Sequence, residues 1–285
     1  MGSETVKTPQ VWRLPGLLLA IFLWAQSSHA LPFSERLDWG AHNYGMGGGS
    51  AAALGSADGF MTNPATLGYY YGKSYLGGSY QLLPEDLSSW TTSLLDGSGG
   101  LVGGFSFQWA DAGSARRQTY TVAAAYKTER VWLGASIYAH RFTGVRPGKG
   151  WHYSGASGIY IPVPGGLSLG AYGKNFLDTE KDHHLPPSVN IGLAYLIPQT
   201  ARAVVETSRR FAIANQDWNV SSGLEVLMHE HFSMRGGYHW NRSDEDSFWS
   251  VGASMSGPKV DASFTFHQTR ENPSQGYSFD FGLKF

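Results

Sequence analysis

The last nine residues of the 285-residue chain set the tightest constraint on its fold. Tyr277, Phe279, Phe281, Leu283 and Phe285 share one face of a period-2 segment, and Ser278, Asp280, Gly282 and Lys284 share the other. Such alternation belongs to an extended strand. The pattern recurs upstream: Val260, Ala262, Phe264 and Phe266 alternate with Asp261, Ser263, Thr265 and His267. Comparable segments begin at Ser74, Leu87, Leu101, Gln118, Val131, Trp151, Gly166, Ser188, Thr200, Trp218, His231 and Ser247. That makes about 14 strands over residues 74–285, or roughly 15 residues per strand and connection, which suits membrane strands of about 9–11 residues.

The distribution of side chains decides the solvent. One face of most segments is aliphatic or aromatic along its length, and the other is Gly, Ser and charge. A soluble sandwich would turn its polar face outward, whereas lipid requires an apolar exterior around a polar lumen. Connections alternate too. They are short at Asp96–Gly100, Thr128–Arg130, Pro162–Gly165, Pro198–Gln199, His229–Glu230 and Gly257–Pro258. Longer, polar connections fall at Thr143–Gly150, Leu177–Pro187, Arg209–Asp217, Asn241–Asp246 and Thr269–Gln275. The expected architecture is all-β: a transmembrane antiparallel barrel with short periplasmic turns and longer external loops.

Composition agrees. Charged residues are only 15%, yet mean hydropathy is −0.24, too polar for a bundle of membrane helices. A net charge of −1 gives no support for a nucleic-acid partner, and the absence of Cys excludes disulfides and thiolate metal sites. The first 30 residues read as a cleaved secretory signal, with the apolar run Leu14–Ala25 followed by the small-x-small site Ser28-His29-Ala30. The expected domains are a signal at 1–30, a plug at 31–73 and a barrel at 74–285, in the bacterial outer membrane and in contact with its lipid. Trp109, Trp132, Trp151, Trp218, Trp240 and Trp249 are expected in the interfacial girdles.

On this register Lys127, Arg202, Glu206, Glu225, Arg235, Asp261, Asp280 and Lys284 face the lumen. Their signs balance, which favours a structural charge network over a selectivity filter. Arg235 and Arg202 neighbour Glu225, and Asp261 neighbours the strand of Asp280 and Lys284. Arginine at Val260, Phe264 or Phe281 is expected to destabilise the barrel more than arginine at Ser263 or Thr265.

Before the first strand, Gly45-Met46-Gly47-Gly48-Gly49 leads through small residues and Asp58 to Asn63-Pro64-Ala65-Thr66-Leu67. Small side chains allow close backbone packing, and Asn-Pro initiates a turn. The segment reads as a compact knot that packs inside something. Its pattern resembles the N-terminal hatch of the FadL-like outer-membrane superfamily, carried by Gly45, Gly47, Gly48, Asn63 and Pro64, with Asp58 where the family commonly has acidic residues. The resemblance implies a hatch within a fourteen-stranded barrel, as in long-chain fatty-acid channels and a relative associated with type IX secretion. The strand ending in Phe285 resembles the terminal strand of bacterial outer-membrane proteins, which implies that Tyr277, Phe279, Phe281 and Phe285 form a signal for the barrel-assembly machinery. The loops here are shorter than those of the fatty-acid channels, and the lumen residues placed by the register trace no fatty-acid pocket.

No catalytic, cofactor or metal site emerges. His229-Glu230-His231 lies at a strand turn without the spacing of a helical zinc site, and Asp178, Glu180, Asp182, His183 and His184 read as a solvated loop. Arg146-Pro147-Gly148-Lys149-Gly150 lacks the P-loop pattern, and nothing selects a triad around His140, His152, His239 and His267. The leading expectation is passive transport of a hydrophobic small molecule by a protein that is not an enzyme. The alternative is a non-transporting scaffold for partner proteins, and a barrel-rim hydrolase is third.

Overall fold

Fourteen antiparallel strands, each bonded to its neighbours in sequence, close into one barrel in the computed structural model. It describes residues 35–55, 57–84, 86–144, 151–176, 186–211, 218–241, 247–270 and 274–285. The expected signal at 1–30, the acidic loop cluster at 178–184 and the run at 146–150 lie outside the described residues. The strands are β1 (Ser74–Leu83), β2 (Leu87–Asp96), β3 (Val102–Ala112), β4 (Ala115–Lys127), β5 (Trp132–Thr143), β6 (Trp151–Pro162) and β7 (Leu167–Lys174). They continue with β8 (Ser188–Ile197), β9 (Ala201–Arg210), β10 (Asn219–His229), β11 (Phe232–Trp240), β12 (Phe248–Ser256), β13 (Val260–Thr269) and β14 (Gln275–Lys284).

Closure is made by β1 against β14, from Tyr75 opposite Lys284 to Leu82 opposite Tyr277. Below that ladder Ser74 and Phe285 exchange backbone hydrogen bonds of 3.3 and 2.9 Å. A closed ladder leaves no strand edge unpaired, the condition for crossing lipid with strands. Outward positions are large and apolar, among them Leu94, Val122, Ile137, Ile191, Val251, Phe264 and Phe279. No helix among the described residues is long and apolar enough to cross a membrane. The chain is a closed β-barrel with an apolar exterior.

Two local readings change. The alternation expected to stop at Trp109 continues to Ala112, and β4 begins at Ala115, so β3 and β4 meet in a tight hairpin at Gly113-Ser114. Trp132 is not a girdle residue. It is 7% exposed and shares the inward face of β5 with Ser136, Tyr138 and His140; its ring lies 4.6 Å from that of Tyr160.

The lumen is filled by the segment before β1. It contains short 3-10 turns at Glu35–Asp38 and Ala57–Phe60, a one-turn helix α1 (Ala41–Gly45) and a longer 3-10 turn at Pro64–Tyr70. Small residues on the inner wall let this backbone lie against it. A Cβ at Gly170 would collide with the Ala51 carbonyl, and one at Gly237 with the Gly47 amide. Gly47 itself has φ +69°, and a Cβ there would lie 2.6 Å from the Ser222 carbonyl. Apolar clusters then seal segment to wall: Leu37, Trp39 and Tyr44 meet Leu83, Ala110 and Phe248, while Phe60, Leu67 and Tyr70 meet Tyr75, Leu95 and Val102.

Candidate functional site: the filled lumen

Inward carboxylates face backbone amides of the segment. Asp280 on β14 accepts from Ala41 N at 2.8 Å and His42 N at 3.0 Å, one bond per oxygen. These are the first amides of α1, whose N-cap residue Gly40 has no side chain to offer. Glu206 on β9 accepts from both Ser50 N and Ala51 N at 2.6 Å through one oxygen. Arg202 donates to Leu54 O at 2.6 Å, Gln108 to Leu37 O at 2.5 Å and Thr265 to Ala41 O at 2.6 Å. Wall side chains thus satisfy the polar backbone of a segment with too little regular structure to satisfy itself.

The other sequence-derived lumen charges pair along the wall. Glu225 lies 3.5 Å from Arg235, 3.8 Å from Arg202 and 3.8 Å from His42. Lys284 meets Asp261 at 2.7 Å, and Lys127 sits 4.6 Å from the Trp132 ring centre. The Arg235 side chain is fully buried beneath Gly45, where a Cβ would strike its stem. Sequence reasoning missed a second ionic cluster: Arg117 Nη2 meets Asp38 at 2.8 Å and Gln108 at 2.7 Å, and Lys174 meets Asp38 at 3.2 Å. Extending the β4 alternation one residue upstream of Gln118 would have placed Arg117 in the lumen.

The motif residues occupy distinct places. Gly45 ends α1 over Arg235, and Gly47 and Gly48 take positive φ of 69° and 87°. Asn63 caps the 3-10 turn by accepting from Ala65 N at 3.0 Å, and its amide donates to Ala51 O at 2.7 Å and Ile159 O at 3.1 Å. Pro64 follows at the first position of that turn, where a missing N–H costs nothing. Asp58 lies in the Ala57–Phe60 turn, with its side chain outside the description. Tyr277, Phe279 and Phe281 project outward from β14, and Phe285 follows at its end.

Three cavities run past the segment. A vestibule of about 270 Å³ at the short-turn end is lined by Arg202, Glu225 and Lys284 together with Leu54, Leu196 and Leu227. It shares His42, Gly55, Asp261 and Ser263 with a cavity of about 40 Å³, which shares Ser79, Thr91 and Ser93 with one of about 10 Å³ under Leu37–Gly40. The inward leucines add apolar surface to a lumen that the register makes mainly polar. Hydroxyl–histidine pairs exist, with Thr119–His140 and Ser221–His239 each at 2.9 Å, but all four residues are buried in the wall. No group of metal-ligating side chains occurs among the described residues.

The fold has counterparts among solved structures. Over 86% of its length the chain matches 97% of the Ralstonia pickettii toluene transporter TbuX, with TM-score 0.63 and 14% identity. It matches 96% of the monoaromatic hydrocarbon channel CymD, with TM-score 0.65, 15% identity and 86% of this chain covered. The P. putida toluene transporter TodX follows, with TM-score 0.62, 11% identity, 86% of this chain and 96% of that one. The chain has the fold of the FadL-like barrels. No family profile matches its sequence, and no curated protein does. These FadL-like neighbours are transport channels and not enzymes.

Proposed function

We propose that this barrel carries a small hydrophobic molecule passively across the outer membrane, with residues 31–73 acting as the hatch. The observation that carries the reading is the fold shared with toluene and monoaromatic hydrocarbon channels along nearly their whole length. The vestibule supports it, because Leu54, Leu196 and Leu227 offer apolar surface to a cargo leaving toward the periplasm. On this reading the hatch motif and the Glu206 and Asp280 clamps hold the closed state, and the ion pairs of Arg202, Glu225, Arg235, Asp261 and Lys284 keep the wall around it rigid. The protein is then a channel rather than an enzyme. The β14 residues Tyr277, Phe279, Phe281 and Phe285 serve its recognition by the barrel-assembly machinery.

The test is uptake of radiolabelled toluene into liposomes that contain the full chain, the clamp variant Glu206→Gln/Asp280→Asn, or no protein. Uptake above the protein-free rate, faster in the clamp variant, is the expected result. If neither protein exceeds protein-free liposomes, transport fails. The second reading, a non-transporting scaffold for partner proteins, then takes its place; the ion-paired, filled lumen favours it.

A further inference from the structure

At the external end of the barrel, β3 and β4 rise to their hairpin at Gly113-Ser114, and the β4–β5 ladder reaches Arg116 opposite Thr143. The outer face here departs from the apolar wall below it. Trp109 Nε1 donates to Asp111 at 2.9 Å, Arg116 Nε donates to the other Asp111 oxygen at 2.7 Å, and the guanidinium lies 4.6 Å from the Trp109 ring centre. Asp111 therefore holds Arg116 flat on the indole through its Nε edge. Among the described residues, the two Nη groups have no hydrogen-bond partner.

Arg141 also points outward and is exposed, opposite Gln118 on β4 and Trp151 on β6. No acidic side chain pairs with it among the described residues. Arg116 and Arg141 are diagonal neighbours on adjacent strands of one face, which sets their Cβ atoms somewhat closer than about 7–8 Å. The patch holds two guanidiniums against one carboxylate, at the depth where Trp109 and Trp151 mark the lipid headgroups.

Cations on the lipid-facing wall need an anionic partner at headgroup level. A phosphate accepts paired hydrogen bonds from a guanidinium edge, and two arginines at this spacing bracket one. We propose that Arg116 and Arg141 form a site for the phosphate of an outer-leaflet glycolipid, with Trp109 and Trp151 against its sugar and upper acyl region. The charge and the external position select this occupant, because outer-leaflet glycolipids present phosphates at that depth.

The full chain in detergent micelles is titrated with bisphosphorylated lipid A, with lipid A stripped of phosphate, with phosphatidylglycerol and with inorganic phosphate, and bound species are counted by native mass spectrometry. The prediction is retention of bisphosphorylated lipid A, loss of binding without its phosphates, and no retention of inorganic phosphate. Arg116→Gln and Arg141→Gln should each weaken binding several-fold and together at least tenfold, while Arg130→Gln at a periplasmic turn leaves it unchanged. Equal retention of phosphatidylglycerol, or an unchanged double variant, overturns the assignment. All variants should keep the heat-modifiable gel mobility of a folded barrel.

Discussion

Asp280 grips the start of α1 at Ala41, with its second oxygen on the next amide, so a residue on the last strand of the wall caps a helix near the start of the described chain. Glu206 on β9 holds Ser50 and Ala51, both through a single oxygen. Each carboxylate accepts two backbone amide bonds, so one wall side chain satisfies two donors of the segment.

Removing a clamp should loosen the segment without unfolding the barrel. Asp280→Ala is expected to cost about 1–3 kcal/mol of docking free energy, since it orphans two buried amides. Hydrogen exchange at Ala41 and His42 is the direct readout, and rates there should rise at least tenfold while β-strand amides keep theirs.

Wall glycines should be as sensitive as the clamps. Gly170→Val and Gly237→Val each put side-chain atoms where the segment's backbone lies. The barrel should still form and keep its gel mobility. Residues 35–72 should become more protease-sensitive than in the parent chain.

Arginine scanning reads the wall directly. Phe264→Arg and Phe281→Arg, on the lipid face, should cost about 2–4 kcal/mol near the bilayer midplane. Val260 lies at the periplasmic start of β13 and should cost less. Ser263→Arg faces the vestibule and should be tolerated. Thr265, grouped with Ser263 from sequence alone, is fully buried against α1 and bonded to Ala41, so arginine there should expel the helix. Urea unfolding in lipid vesicles ranks the five.

Docking should weaken in acid. Burial holds the His42 imidazole below its ordinary value of 6.5; the Arg235 and Arg202 charges add to the effect, and Glu225 opposes it. A docked segment therefore binds fewer protons at this residue than a released one. Its docking is at full strength above about pH 6.5 and declines as pH falls below that value. Exchange at the α1 amides, compared at pH 7.5 and 5.5 after correction for intrinsic rates, should show the decline. His42→Gln should flatten it.

The strands were legible because lipid enforces the alternation residue by residue; β2 and β8 were read to their ends. The alternation fades where a strand leaves the hydrocarbon. At Asp111 and Arg116 the outer face turns polar at headgroup level while the ladder continues, and so the β3–β4 hairpin looked like a loop. Wall pairs such as Glu225 with Arg235 and Arg202 follow from register alone. The partners of Glu206 and Asp280 do not, because they depend on where the N-terminal segment lays its amides. That path has no periodicity to reveal it. Gly47 and Asn63 were visible as residues with special backbone demands, but the wall positions that receive them were not.

The ladder between β1 and β14 has a consequence for biogenesis. It joins the first strand to the fourteenth, so the cylinder cannot close until β14 is in place. Residues 35–72 precede every strand of the wall, whereas Asp280, which holds α1, stands on the last of them. The strand that seals the cylinder also carries a grip on its contents.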